Sequence, residues 1–223
     1  MSHNFYNKQT ILASLLLTLA STTPIHSSQA KAHVDDTPSS WLSRTWTSLT
    51  TSASELHYLG IQCRREGKLK KAFEYFQDAV TKATKINKRM YLLDLAACYE
   101  TGIGTEKNPE MAFECYKQAG DLTKALQKVS FCYEFGEGTQ KDVVKAFECY
   151  VKLNDLIEGM EKYYPFTIDA KEKAEFSRIL SAFSRFYTNG KGVEKDTQKG
   201  GRIIEKAVRY AHEAEASGVQ VYN

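Results

Sequence analysis

Between Lys88 and Glu100 the apolar residues Tyr91, Leu92, Leu95, Cys98 and Tyr99 fall three or four apart, the spacing of one helix face. A second stripe follows, with Met111, Ala112, Cys115, Tyr116 and Ala119 on one side of a helix. The residues between them are punctuation. Gly102 and Gly104 end the first helix, because glycine takes the left-handed conformation at little steric cost. Asn108 caps the second helix, with Pro109 in its first turn where a missing N–H costs nothing.

The same pattern returns 34 residues on, where Tyr133, Gly136, Gly138 and Asp142 take the places of Tyr99, Gly102, Gly104 and Asn108. The words Ala-Phe-Glu-Cys-Tyr at 112–116 and 146–150 coincide in this frame. A further shift of 54 brings Tyr187, Gly190, Gly192 and Asp196 into register. Upstream, Leu59, Gly60, Ala72, Phe76 and Ala79 keep the frame with a shorter loop. Four helix–loop–helix units at a near-constant period predict an all-α solenoid of antiparallel helix pairs, its first helices lining a concave face. The units are expected at about 53–86, 87–121, 122–155 and 174–210, within a repeat domain 53–216 and ahead of a tail 217–223. Ser52 with Glu55, and Asp169 with Glu172, have the spacing of capping boxes. A glycine pair that occurs three times after a helix is not a phosphate cradle, which needs strand, turn and helix once.

The extra 20 residues between the third and fourth units fall at about 155–174. They admit two readings: lengthened helices around a break at Pro165, or an aromatic patch of Tyr163, Tyr164 and Phe166 for a partner.

Residues 1–32 contain no Asp or Glu, and a mostly apolar run from Ile11 to Ala20 precedes Ser-Gln-Ala-Lys-Ala. That is the layout of a signal peptide, and the run is too short to span a membrane, which takes roughly 20 residues. Export to a bacterial periplasm or the medium, with cleavage after Ala30 or Ala32, is therefore the expectation, and no stable membrane insertion. Residues 33–52, with Trp41, Leu42, Trp46 and Leu49 among Ser and Thr, are expected to cap the array as a polar leader. Thirty basic against 27 acidic residues is too even a balance for a nucleic-acid surface.

The segments "LAACYETGIGTEKNPEMAFECYKQA" and "FSRFYTNGKGVEKDTQKG" resemble the Sel-one-like repeat family, close relatives of tetratricopeptide repeats. That family's pattern is a Leu–Gly or Leu–Ala pair, a Tyr, Gly-x-Gly, an Asp or Asn, then Ala and an aromatic. The third unit departs from it at Val129–Ser130 and Leu153, and the first lacks the Gly-x-Gly loop. The fourth has Gly200–Gly201 where Ala and an aromatic are usual, so its second helix is expected to pack less tightly. The resemblance implies a right-handed superhelix and a non-catalytic scaffold for a protein or peptide partner. In the tetratricopeptide frame His57, Arg64, Glu100, Gln127, Phe131, Glu134 and Arg185 would face the groove. The Lys and Asn of a chaperone-type carboxylate clamp are absent. Phe131 would then be the apolar anchor, and reversing Glu100 and Glu134 is expected to weaken binding while sparing the melting temperature.

Candidate chemistry is sparse. His3 and His26 lie in the proposed leader, and "AHEAEA" around His212 is half of a zinc-protease motif. The one Ser-x-x-Lys, Ser28 to Lys31, falls in the segment expected to be removed. No catalytic residue, metal or cofactor is expected. The alternative is a β-lactam-hydrolysing or peptidoglycan-related enzyme, an activity attributed to some exported, cysteine-rich members of the family. Cys63, Cys98, Cys115, Cys132 and Cys149 form no Cys-x-x-Cys. Pairs of Cys98 with Cys115 and Cys132 with Cys149 are open to an exported protein, but mid-helix placement favours reduced, buried thiols.

Overall fold

The computed structural model describes residues 51–221; the proposed signal peptide and all but the end of the polar leader lie outside them. Among the described residues there are eight α-helices and no strand: α1 Ala53–Arg65, α2 Leu69–Lys82, α3 Lys85–Thr101, α4 Pro109–Ala119, α5 Thr123–Phe135, α6 Val143–Tyr163, α7 Ala170–Asn189 and α8 Thr197–Ala216. Each helix packs on the next, most extensively within the pairs α1–α2, α3–α4, α5–α6 and α7–α8. This is the all-α helical-repeat architecture that the periodicity predicts.

Local chemistry repeats with the sequence. The side chains of Asn108, Asp142 and Asp196 accept hydrogen bonds from the N–H groups of Met111, Lys145 and Lys199, satisfying amides that have no helical partner. The N–H groups of the same three residues donate to the carbonyls of Tyr99, Tyr133 and Tyr187 at 2.8–2.9 Å, so each loop closes on the helix before it. Both expected capping boxes, Ser52–Glu55 and Asp169–Glu172, are formed.

The two glycines of each loop have different roles. Gly136 has φ +80° and ends α5, its N–H bonded to the Cys132 carbonyl. Gly138, with φ +70°, lies against the start of α4 in the preceding unit, where a Cβ would sit 2.1 Å from the Pro109 carbonyl oxygen. Gly104 and Gly192 make the same approach to Leu69 and Val143. The first glycine turns the chain, and the second lets successive units touch backbone to backbone.

Ring contacts reinforce those junctions. Phe73 meets Tyr99, Phe113 meets Tyr133 and Phe147 meets Tyr187, all edge to face at 5.3–5.4 Å. Such a pair contributes about 0.5–1.5 kcal/mol beyond its area burial. The position of Phe147 in the fourth unit is Gly201, with nothing within 4 Å of its would-be Cβ, and no further unit follows among the described residues. Its neighbour overturns the expectation of looser packing. Gly200 is buried, its carbonyl accepts from Ser184 Oγ at 2.9 Å, and a Cβ there would lie 2.5 Å from Thr188 Cγ2. Losing the side chain brings α8 closer to α7.

Of the 20 additional residues, 17 lengthen helices and three lengthen the connection between them. α6 has 21 residues where α4 has 11, α7 has 20 where α5 has 13, and the connection has six residues where the earlier one has three. The reading of lengthened helices around a break at Pro165 holds, and the three aromatic residues are exposed: Tyr163 at the end of α6 at 66%, Tyr164 and Phe166 on the connection at 63% and 101%. After α8 the chain turns, and Val221 is buried among Ala174, Ala211 and Ala214.

Cys98, Cys115 and Cys132 are buried, Cys63 and Cys149 are half-buried, and all five thiols are free. Burial pushes the thiols of Cys98, Cys115 and Cys132 up to about 11. They are therefore protonated and unreactive at neutral pH. Ellman's reagent at pH 8 is expected to modify Cys63 and Cys149 in the folded protein, and the other three only in denaturant. Equal labelling of all five before unfolding would contradict this packing.

Candidate functional site

The pair positions Leu59–Gly60, Leu95–Ala96 and Val129–Ser130 put Arg64, Glu100 and Glu134 at one register position of successive first helices. In the structure each of these groups forms an ion pair with the unit that follows. Arg64 on α1 reaches Asp94 on α3 at 2.9 Å, and His57 Nε2 lies 2.8 Å from the other Asp94 oxygen. Glu100 on α3 takes Lys128 on α5, and also accepts from the Tyr116 hydroxyl at 2.6 Å. Glu134 on α5, only 4% exposed, is bound at 2.7 Å by Lys191 from the loop after α7. Three junctions carry three cross-unit pairs. Sequence reasoning missed Asp94, Lys128 and Lys191. Asp94 and Lys128 stand 34 residues apart at the same position, so a charge swap in register with the Arg64-to-Glu100 swap was the available signal.

Electrostatics follow from these contacts. Burial alone would raise the Glu100 carboxyl, but the hydrogen bonds from Lys128 and Tyr116 outweigh it and hold the group below the usual carboxylate range. A depressed folded-state pKa adds stability that is fully present above the unfolded value and is lost as pH falls through the folded one. Wild-type protein is thus expected to lose stability below about pH 4.5, near the ordinary glutamate value. Glu100→Gln should flatten part of that acid limb, read from urea midpoints between pH 3 and 7. An unchanged pH profile in the variant would count against the assignment.

The remaining predicted site residues divide. Phe131 and Phe135 are neighbours on α5, 45% and 56% exposed, with ring centroids 4.5 Å apart. Lys191 lies over the Phe135 ring at 5.8 Å while holding Glu134, so Phe131, Phe135, Glu134 and Lys191 form one cluster. Gln127 is half-buried on the same helix, its carbonyl accepting from Ser130 Oγ. Arg185 is exposed on α7 at the register position of Phe131, one unit on. Its charge and that of Glu134 both reach the Tyr150 hydroxyl, whose pKa is raised chiefly by burial. Tyr163, at the end of α6, and Tyr164 and Phe166, on the α6–α7 connection, belong to neither group. No described helix is long and apolar enough to cross a membrane.

The fold and the repeated junctions define a helical-repeat solenoid of paired helices. The chain belongs to the Sel1 repeat family, whose model matches residues 53–82, 91–124, 123–156 and 180–219. Among solved structures it is similar to a Sel1 repeat protein from Oxalobacter formigenes, with 21% identity and a TM-score of 0.50, over 73% of this chain and 57% of that one. It is also similar to a protective antigen of uropathogenic Escherichia coli with an SLR fold, with 17% identity and a TM-score of 0.54, over 78% of this chain and 33% of that one. The chain thus spans just over half and one third of the length of these two neighbours. Comparison with curated proteins gives no match.

Proposed function

We propose that the array is a non-catalytic scaffold that binds a protein or peptide through the face of its first helices, α1, α3, α5 and α7. The carrying observation is the Phe131–Phe135 pair. Two aromatic rings are exposed on a face where Asp94, Glu100 and Glu134 are occupied by internal ion pairs. Exposed aromatic side chains are the usual anchors of interfaces. The acid-free leader supports a second element of the proposal, that the protein works after export, and intact mass of protein from the native host tests it.

Crosslinking in the native host followed by mass spectrometry tests the binding role, with Phe131→Ala as the comparison. Partner peptides crosslinked to α5 or α7 in the wild type and lost in the variant are the expected result. Crosslinks that survive in Phe131→Ala and vanish when Tyr163, Tyr164 and Phe166 are replaced would move the site to the α6–α7 connection. Nitrocefin turnover by the purified protein would replace the scaffold reading with the enzymatic one.

A further inference from the structure

Resting on that reading, we infer the charge of the partner: the face around Phe131 and Phe135 accepts a peptide carrying an apolar side chain beside an Asp or Glu. Sequence alone leaves the charge open, because Arg64 and Arg185 towards the ends and Glu100 and Glu134 between them read as a mixed surface. The structure removes both acids from play. Glu100 is bound by Lys128 and Tyr116, and Glu134 is buried under Lys191. Asp94 is likewise taken by Arg64 and His57.

The ladder therefore uses each of its carboxylates on a cation of the neighbouring unit, and Arg185, at the register of Phe131, stands outside it. It is exposed on α7, one unit on from Phe131, and makes no ion pair among the described residues. An arginine suits this role, since its planar guanidinium can hold both oxygens of a carboxylate. Lys191, on the Phe135 ring, is neutralised by Glu134, so the edge of the aromatic pair carries no net negative charge. An acidic ligand meets complementary charge at Arg185, whereas a basic one meets Arg185 while Glu100 and Glu134 are held in internal ion pairs. Complementarity of this kind sets specificity and association rate more than raw affinity.

The probe is an array of immobilised dodecapeptides, each with a central Phe or Leu, in matched Asp/Glu-flanked and Lys/Arg-flanked versions at low salt. Wild-type protein should retain the acidic versions at least about tenfold better than the basic ones. Arg185→Glu should abolish or invert that ratio, and Phe131→Ala should weaken retention of the acidic set by roughly tenfold or more. Circular dichroism melts confirm that both variants remain folded. Preference for basic peptides, or a ratio unmoved by Arg185→Glu, overturns the inference. If basic peptides are retained and Phe131→Ala releases them, the first-helix face survives as the site and only the charge assignment fails. If no peptide depends on Phe131 and replacement of Tyr163, Tyr164 and Phe166 abolishes retention, the site itself is wrong and the inference falls with it.

Discussion

Gly138→Ala is expected to destabilise the array by roughly 2–6 kcal/mol, combining left-handed strain with overpacking at about 1–3 kcal/mol each. The added Cβ would lie 2.1 Å from the Pro109 carbonyl oxygen and 2.4 Å from its carbon. Both atoms belong to backbone, which no side-chain rotation can move aside. The unit would have to separate from the one before it, disturbing the Phe113–Tyr133 contact at the same junction. Gly136→Ala is the control. Its φ is also positive, but the nearest atom to a Cβ is the Lys141 Cβ at 3.3 Å, so only the conformational cost of about 1–3 kcal/mol remains. Urea unfolding of both variants measures the difference. Equal losses would mean that the second glycine is merely a bend like the first.

Glu134→Lys is expected to cost about 3–5 kcal/mol, the range for breaking a buried ion pair so that a charge is left uncompensated. The new ammonium would take a buried position and face Lys191, which is itself about one-third exposed. Glu100→Lys should cost only about 1 kcal/mol, because that pair is one-third exposed and water screens it. The earlier expectation, that reversing both acids leaves the melting temperature unchanged, therefore fails at Glu134. Pairing Glu134→Lys with Lys191→Glu should recover part of the loss, and a double-mutant cycle in urea isolates the coupling. A Glu134→Lys protein that melts like the wild type would show that the Lys191 contact contributes nothing in solution. Loss of binding in a reversal at this site measures folding as well as recognition, so Phe131→Ala and Arg185→Glu are the cleaner probes.

Helix, cap and loop were legible because each depends on residues close in the chain. The stripe of Tyr91, Leu92, Leu95 and Cys98, the caps at Asn108 and Asp142, and the capping boxes all act within one or two turns. Repetition then supplied the solenoid, since a pattern recurring in register implies that each unit meets the next in the same way. The aromatic identity of Tyr163, Tyr164 and Phe166 was plain, but their exposure was not, because it depends on how far α6 and α7 extend.

What the sequence determined by itself is thus the unit and its recurrence: two amphipathic helices four times over, joined in the last three units by a Gly-x-Gly turn and an Asn or Asp cap. Tertiary structure alone decided which charges are free. Glu100 and Glu134 look alike in the sequence and share a register, yet one is half-screened and the other sealed under Lys191. Their fates differ because a partner 28 or 57 residues away is brought within 3 Å only when the units stack. The role of Gly138, a contact with Pro109 of the preceding unit, became visible for the same reason. Local hydrogen bonds and apolar periodicity are written in neighbouring residues, whereas burial, ion pairing and close backbone approach are properties of the junctions.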